Sequence, residues 1–394
     1  MTVEGTLPPM LPLTPTAEEL ALRQAVRTIA AKFGPNYFQR VADEGGQLTD
    51  LWKALADNGF VGVHLPEQYG GGGCGIYELA AIVEETAIAG CAPQAFIYSA
   101  GMAGPLITKH AKPAVRDEWL PRLASGESII SFALTESDAG SNSHNIRTKA
   151  ERQGDKYVIN GAKQFITGVE SADAIIVAAR TGTNEETGRG RISLFLVDAD
   201  APGLTRTKIP TAIGMPEKSW SLFFDDVEVD ASRLLGEENR GFRAIFDGLN
   251  AERVLVAAMT NGFAQYALTK AVNYAKQRVV WDTPIGSHQG VAHPLARIKV
   301  EIEHARLMTQ KAAILFDAGY DAGESANMCK MMAAEAAIHS FDRAIHTHGG
   351  NGVTLEYQLV NYWFHVRLLK VAPVSEELVL SYIAQNTLGL PKSY

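Results

Sequence analysis

Apolar residues recur at every third or fourth position through the first third of the chain. Leu22, Val26, Ile29 and Phe33 form one such stripe, the spacing of a helix with one buried face. Thr16 followed by Glu19 reads as a capping box at its start, and Gly34-Pro35 as its stop. Leu51, Trp52, Leu55 and Ala56 begin a second stripe that Asn58-Gly59 ends. The four glycines 70–73 read as a flexible connector; no Lys-Ser/Thr pair follows them, so they do not match a phosphate loop. Near residue 129 the period changes. Residues 129–134 are a short apolar run. Residues 156–159 and 162–167 flank Asn160-Gly161, which predicts a hairpin with a type I′ turn. Residues 174–179 and 192–197 flank a polar loop, and residues 219–229 are rich in aromatic and β-branched side chains. After Gly241 the helical period returns. Leu295, Ile298, Ile302, Ala305, Met308, Ala312 and Leu315 make one long stripe. Ala326, Cys329, Ala333, Ala336 and Ala337 make another, of small residues that let helices approach closely. The pattern predicts a helical domain over 1–128, a β domain over 129–240 and a helical domain over 241–394.

Composition narrows the function. Of 394 residues, 46% are apolar and 20% charged, and the net charge is −8. These are globular values, and an acidic chain repels nucleic-acid phosphates. No run approaches the roughly 18 apolar residues of a membrane helix. Residues 1–15 carry four prolines and no basic residue, so they are not expected to be a secretion signal. Cys74, Cys91 and Cys329 have no metal-ligand or CxxC spacing and read as reduced thiols, which points to the cytoplasm.

One carboxylate is out of place. Phe242, Ile245, Phe246, Leu249 and Val256 define an apolar stripe, and continuing it past Leu249 reaches Glu252 and Arg253. A buried carboxylate is costly unless paired or protonated, and burial pushes its pKa toward neutrality, which suits a general base. Periodicity alone favours the plainer readings, an internal ion pair or a stripe rotated to expose Glu252.

Four segments carry a resemblance. Phe132-Ala-Leu-Thr-Glu-Ser-Asp-Ala-Gly-Ser141 resembles the ALTEPxAGSD signature of the acyl-CoA dehydrogenase family. Lys163-Gln-Phe-Ile-Thr-Gly168 resembles its second signature, and His348-Gly-Gly-Asn-Gly352 its C-terminal glycine loop. The helical, β, helical order is also the family's. The resemblance implies an α+β multidomain fold: an N-terminal α-helical domain, a middle β-barrel or sandwich domain and a C-terminal four-helix bundle. It further implies non-covalent FAD, an acyl-CoA substrate, α,β-dehydrogenation to the enoyl-CoA, an electron-transfer flavoprotein as acceptor and a homotetramer.

By the same resemblance Phe132, Leu134, Thr135, Phe165, Ile166 and Thr167 contact the flavin, with Phe165 where the family often has tryptophan. Ser141 touches the CoA arm. Arg278 matches an arginine that a neighbouring subunit gives to the FAD pyrophosphate, where a guanidinium suits phosphate. Trp281 replaces the usual phenylalanine, Gln289 keeps the glutamine that follows, and Asp282 stands where the family usually has glycine. His346 stands where a glutamine is common near the cofactor. Gly349 and Gly350 let the backbone approach a partner's FAD, their bland alternative being an ordinary helix stop. Ser375 and Glu377 are carried over as cofactor-side residues, although a helix N-cap and first turn explain them fully. His346 and His348 have no carboxylate or cysteine cluster beside them, so no metal is expected.

Many members carry the catalytic glutamate before a Gly-Thr-Ser segment near the C-terminus. Here that segment is Ala372-Pro-Val-Ser-Glu-Glu377, and Ala372 occupies the catalytic position. A branch including isovaleryl-CoA and long-chain acyl-CoA dehydrogenases places the base in a Leu-x-x-Glu-Arg pattern, and this chain reads Leu249-Asn-Ala-Glu-Arg253. The resemblance therefore assigns Glu252 as base, with Asn250 and Arg253 on the substrate side and the Ala372 amide as a donor to the thioester oxygen. A family flavoprotein with altered chemistry and a non-catalytic subunit of a mixed oligomer are the competing readings.

Overall fold

The fold was analysed in a computed structural model, which describes residues 14–392. The reading of residues 1–13 as free of a secretion signal lies outside the described residues. In chain order the helices α1 (Ala17–Ala30), α2 (Gly34–Glu44), α3 (Thr49–Ala56) and α4 (Ile76–Ile88) come first. A π-helical stretch, Phe96–Ala103, leads into α5 (Gly104–His110) and α6 (Pro113–Ala124). The strands are β1 (Ile130–Ala133), β2 (Lys149–Gln153), β3 (Lys156–Thr167), β4 (Ala174–Thr183), β5 (Gly190–Asp198), β6 (Leu204–Lys208), β7 (Ser219–Asp230) and β8 (Leu234–Leu235). Then follow α7 (Gly241–Gln277), a ribbon of β9 (Val279–Val280) and β10 (Thr283–Pro284), α8 (Gln289–Asp317), α9 (Gly323–His348), α10 (Leu359–Leu368) and α11 (Glu376–Tyr382). The architecture is the expected one: N-terminal helices, a middle sheet domain and a C-terminal helical domain.

Packing divides the chain into two compact units. One comprises residues up to 38, 75–92 and 253–394; the other comprises 39–74 and 93–252. Within the first, α1 packs on α4, α4 on α8, α8 on α9, and α10 and α11 on α9. The Thr16 hydroxyl accepts the Glu19 N–H at 3.2 Å, as the capping box predicts. The Glu19 carboxylate instead takes Arg23 at 2.8 Å and the Tyr77 hydroxyl at 2.7 Å. Gly34-Pro35 does not simply stop α1. Gly34, at φ 71°, opens α2 after a three-residue break. The α9 stripe is buried as predicted, with Ala326, Cys329, Ala333 and Ala337 each 0% exposed; in the α8 stripe Met308 and Leu315 are half-buried and the others buried. Gly262 lets α7 approach α4, since a Cβ there would stand 2.4 Å from the Glu84 carbonyl oxygen.

The second unit holds an eight-stranded sheet in the order β6-β7-β3-β2-β4-β5-β8, with β1 parallel to β4. Residues 174–179 of β4 and 192–197 of β5 are buried on both faces, which is why they read as continuous apolar runs. Ala174, Ile176 and Ala178 join a core with α5, α6 and the start of α7; Ile175, Val177 and Ala179 join a second core built with β2, β3 and β7.

Two expectations are corrected here. Asn160-Gly161 is not a hairpin turn. It sits inside β3 at a register shift, with the Asn160 amide bonded to Asp226 at 2.9 Å. Gly161 at φ 145° would place a Cβ 2.6 Å from Thr148, so close packing rather than turn chemistry selects the glycine. The hairpin is β2–β3, closed by Gly154-Asp155 with Gly154 at φ 66°. The glycines 70–73 are not a mere connector either. Cβ atoms on Gly71 and Gly72 would stand 2.2 Å from the Leu65 carbonyl oxygen and 2.7 Å from that of Val63.

Candidate functional site

In the sheet-containing unit, the flavin-side candidates converge. β1 delivers Phe132 and leads into Leu134 and Thr135; the far end of β3 delivers Phe165, Ile166 and Thr167. The two segments are stitched together. The Gln164 N–H donates to the Thr135 carbonyl at 2.8 Å, and the Ser131 hydroxyl to the Thr167 carbonyl at 3.0 Å. β3 slips register between Lys163 and Ile166. Within that bulge Phe165 takes φ 59° and leaves its side chain 58% exposed. A large apolar ring held outward at a disfavoured dihedral is costly in water alone and marks a surface shaped for a ligand. Thr135 and Thr167 are half-buried, Ile166 is buried beneath, and Ser141 is exposed beyond a tight turn.

Below this face lies an ion pair that motif reading quoted but did not single out. The Lys163 ammonium donates to Glu136 Oε1 at 2.8 Å and to the Leu134 carbonyl at 2.9 Å. Burial pulls the ammonium down to about 8, against the opposing pull of Glu136. A lysine on an inward position of an alternating strand was the sequence signal for it.

A second buried group was also missed. Glu217 is 6% exposed, and burial raises its carboxyl to about 7, against the backbone amides that favour its charge. Its Oε1 accepts the Gln94 N–H at 2.9 Å. The neighbouring Glu170 accepts the Trp220 indole N–H at 2.5 Å and the Lys218 N–H at 2.8 Å.

The same unit holds the first turns of α7, pinned at three points. Gly241 lies against Ser193, and Gly248 against Met102 and Leu106, at distances that leave no room for a Cβ. Asp247 bonds His110 at 2.7 Å and Lys109 at 2.8 Å. Leu249 packs on the core shared with the sheet. Asn250 and Glu252 follow, both half-buried, with Glu252 between the fully buried Ala251 and Val254 and its Oε2 shielded from solvent. The predicted stripe is thus partly rotated: Phe246 is 40% exposed.

In the other unit Arg253 is half-buried with Nε shielded. Arg278 stands exposed at the end of α7 and makes no ion pair among the described residues. The β9–β10 turn presents Trp281, 85% exposed, and both turn residues are left-handed, Trp281 at φ 48° and Asp282 at φ 62°. That dihedral explains why the family usually has glycine at the Asp282 position. Gln289 opens α8 and is exposed. Tyr274, one turn before Arg278, packs its ring at a tilt against His348, centroids 4.2 Å apart, and accepts the Asn351 amide at 3.1 Å. This brings the end of α7 beside the glycine loop, where exposed Gly349 ends α9 at φ 59° and Gly350 leaves open space around it. His346 is exposed on the last turn.

The 372–377 segment has two outcomes. Ser375 caps α11 by accepting the Leu378 N–H at 3.3 Å, and exposed Glu377 sits in the first turn, its carboxyl lowered by backbone amides and the Ser375 hydroxyl. The expected role of the Ala372 amide is corrected. Its N–H donates to the Leu368 carbonyl at 3.0 Å, closing α10.

The residues fit the cofactor that the resemblance implies. An exposed aromatic, two threonine hydroxyls and a stitched backbone suit a flat heteroaromatic ring. A guanidinium with no ion-pair partner among the described residues, near exposed glycines, suits a pyrophosphate.

Comparison with known proteins agrees. Models of the acyl-CoA dehydrogenase N-terminal, middle and C-terminal domains match residues 16–127, 131–227 and 239–388. The acyl-CoA dehydrogenase FadE12 of Mycobacterium tuberculosis is 45% identical over 96% of this chain and 97% of its own. Butyryl-CoA dehydrogenase of Megasphaera elsdenii superposes with a TM-score of 0.90 at 27% identity, covering 96% of this chain and 100% of that one. A glutaryl-CoA dehydrogenase of Mycobacterium smegmatis, solved with FADH2, gives 0.87 at 26% identity, covering 96% and 97%.

Proposed function

The chain belongs to the acyl-CoA dehydrogenase family, flavoprotein oxidoreductases that use FAD to dehydrogenate acyl-CoA thioesters, and from that membership we propose that Glu252 is the base of the reaction. The observation that carries this is the position of Glu252 on α7. It lies in a Leu-x-x-Glu-Arg segment, half-buried next to the fully buried Ala251, on a helix end pinned at three points. Ala372 at the alternative base position has no titratable side chain.

The Phe165 face and the 132–135 segment would hold the FAD ring, and the cofactor would supply hydride acceptance there. The chain's own residues do the rest. The Glu252 carboxylate takes the α proton and holds it. Pinning at Gly241, Gly248 and Asp247 fixes the carboxylate's direction, so little reorganisation is needed when the proton moves. Thr135 and Thr167 orient the ring through their hydroxyls, Leu134 and Ile166 exclude water from its plane, and Phe165 walls its face. Arg253 and Asn250 attend the substrate, and Ser141 the CoA arm. Arg278, Trp281, Gln289, His346, Gly349 and Gly350 are assigned to cofactor held across a subunit contact in a homotetramer, a reading supported by their exposure. Ser375 and Glu377 remain on the cofactor side only through the α11 N-terminus they form. An electron-transfer flavoprotein is the proposed acceptor of the reducing equivalents, in the β-oxidation of an acyl-CoA in the cytoplasm. Among the described residues no helix is long and apolar enough to cross a membrane.

The test is anaerobic mixing with an acyl-CoA, followed by flavin absorbance. Glu252→Gln keeps the shape and removes the base, so bleaching should slow by roughly 10²–10⁴ while FAD stays bound. Bleaching at the wild-type rate would overturn the assignment of Glu252, whereas a wild type that no acyl-CoA bleaches would favour a family flavoprotein with altered chemistry.

A further inference from the structure

A lysine inside a strand with its whole side chain out of solvent is costly unless its charge and donors are matched. The Lys163 side chain is 0% exposed and that of Glu136 9%. Two of the ammonium's three donors and both carboxylate oxygens are matched. Lys163 donates to Glu136 Oε1 and the Leu134 carbonyl. Glu136 also accepts the backbone N–H of Arg147 at 2.6 Å and of Thr148 at 3.0 Å. Thr148 in turn gives its hydroxyl to the Ala162 carbonyl at 3.2 Å. One ion pair therefore ties together three stretches of backbone: 134–136, 147–148 and β3.

Its place in the fold is informative. Leu134 and Thr135 lie on one side of the pair in sequence, and the Phe165 bulge begins directly after Lys163. A buried pair is seldom more stable than apolar residues of the same volume, so stability does not account for it. What it provides is direction. The ammonium fixes where the Leu134 carbonyl points, and with it the peptide that carries the Thr135 hydroxyl. It also fixes the strand at the last residue before register is lost, and so where Phe165 emerges.

We infer that the Lys163–Glu136 pair is a positioning element of the cofactor face, holding the Leu134–Thr135 backbone and the Phe165 bulge in the arrangement that binds the flavin ring. This rests on the reading that residues 132–135 and 165–167 face FAD. Neither member of the pair touches the ring; both act through the backbone they hold.

The experiment compares apoproteins of the wild type, Lys163→Met, Glu136→Gln and the double variant. Each is titrated with FAD by quenching of flavin fluorescence, and the visible circular dichroism of the bound flavin is recorded. Each single variant should weaken FAD binding at least tenfold and alter the flavin dichroism. The double variant should bind FAD no better than the weaker single variant, because both changes remove one clamp. Its thermal midpoint should nevertheless move back toward the wild type, since no lone charge is left buried. That separation of affinity from stability distinguishes positioning from a structural role. If Lys163→Met alone does not fold, Glu136→Gln and the double variant carry the comparison. Wild-type affinity and dichroism in the double variant would overturn the positioning role alone. A wild-type apoprotein that takes up no FAD would overturn the flavin reading, and the positioning role with it.

Discussion

Glu217→Gln should stabilise this protein, and increasingly so as pH rises from 4.5 to 7. Burial raises the folded-state pKa of Glu217 from 4.5 to about 7. The group favours folding most below its unfolded pKa, where it is protonated in both states. As pH rises, the unfolded chain ionises it first, and the folded state falls behind until its own pKa is passed. The gap corresponds to a cost of about 3 kcal/mol near pH 7 and less than about 1 kcal/mol at pH 5. Glutamine retains an oxygen for the Gln94 N–H and cannot ionise, so the variant escapes the cost. With about 2.1 cal/mol/K of unfolding entropy per residue, 3 kcal/mol over this length shifts the midpoint by about 4 °C. The assay is thermal unfolding of both proteins across pH 5 to 7. The gain of the variant should grow from about 1 °C to about 4 °C. A gain that does not change with pH would refute the reasoning, because a pH-independent effect cannot come from this ionisation. A loss across the whole range would show that the carboxyl is charged and paired when folded.

Other outcomes follow from the same physics. His365 is 2% exposed with no hydrogen-bond partner at either ring nitrogen among the described residues, and burial lowers it to about 4. Its neutral form supports folding above pH 6.5, and that support is lost as pH falls toward 4, by about 3 kcal/mol. His365→Leu should flatten this acid limb in pH-dependent denaturation without lowering stability at pH 7. Gly75→Ala should cost about 1–3 kcal/mol in urea unfolding. Its Cβ would stand 2.2 Å from Asp317 Oδ2, and Asp317 caps α4 by accepting the Ile76 and Tyr77 N–H groups at 2.8 and 2.9 Å.

Much of the fold was legible because it depends on local period. The stripes of α8 and α9, the Thr16 and Ser375 caps and the two changes of period each depend on neighbours within a few residues. Where reading failed, a distant segment decided. Asn160-Gly161 has ideal turn chemistry, yet it lies in a long strand because Asp226 and Thr148 meet it there. Gly154-Asp155 makes the turn instead. The Ala372 amide was assigned by position in a motif, but the end of α10 claims it.

The sequence by itself determined the order of helical, sheet and helical segments. It also singled out Glu252 as a carboxylate at odds with its stripe, and ruled out a base at Ala372. These are properties of spacing and side-chain chemistry, and they survive any arrangement of the chain in space. Tertiary structure decided what each polar group is left free to do. It paired Lys163 on β3 with Glu136 in the loop after β1, 27 residues apart in sequence, turned Phe165 outward, and gave Asp282 the left-handed dihedral of a glycine. The physical reason is that burial and hydrogen bonding are set by which segments touch, and no local pattern encodes a contact made by a residue it does not contain.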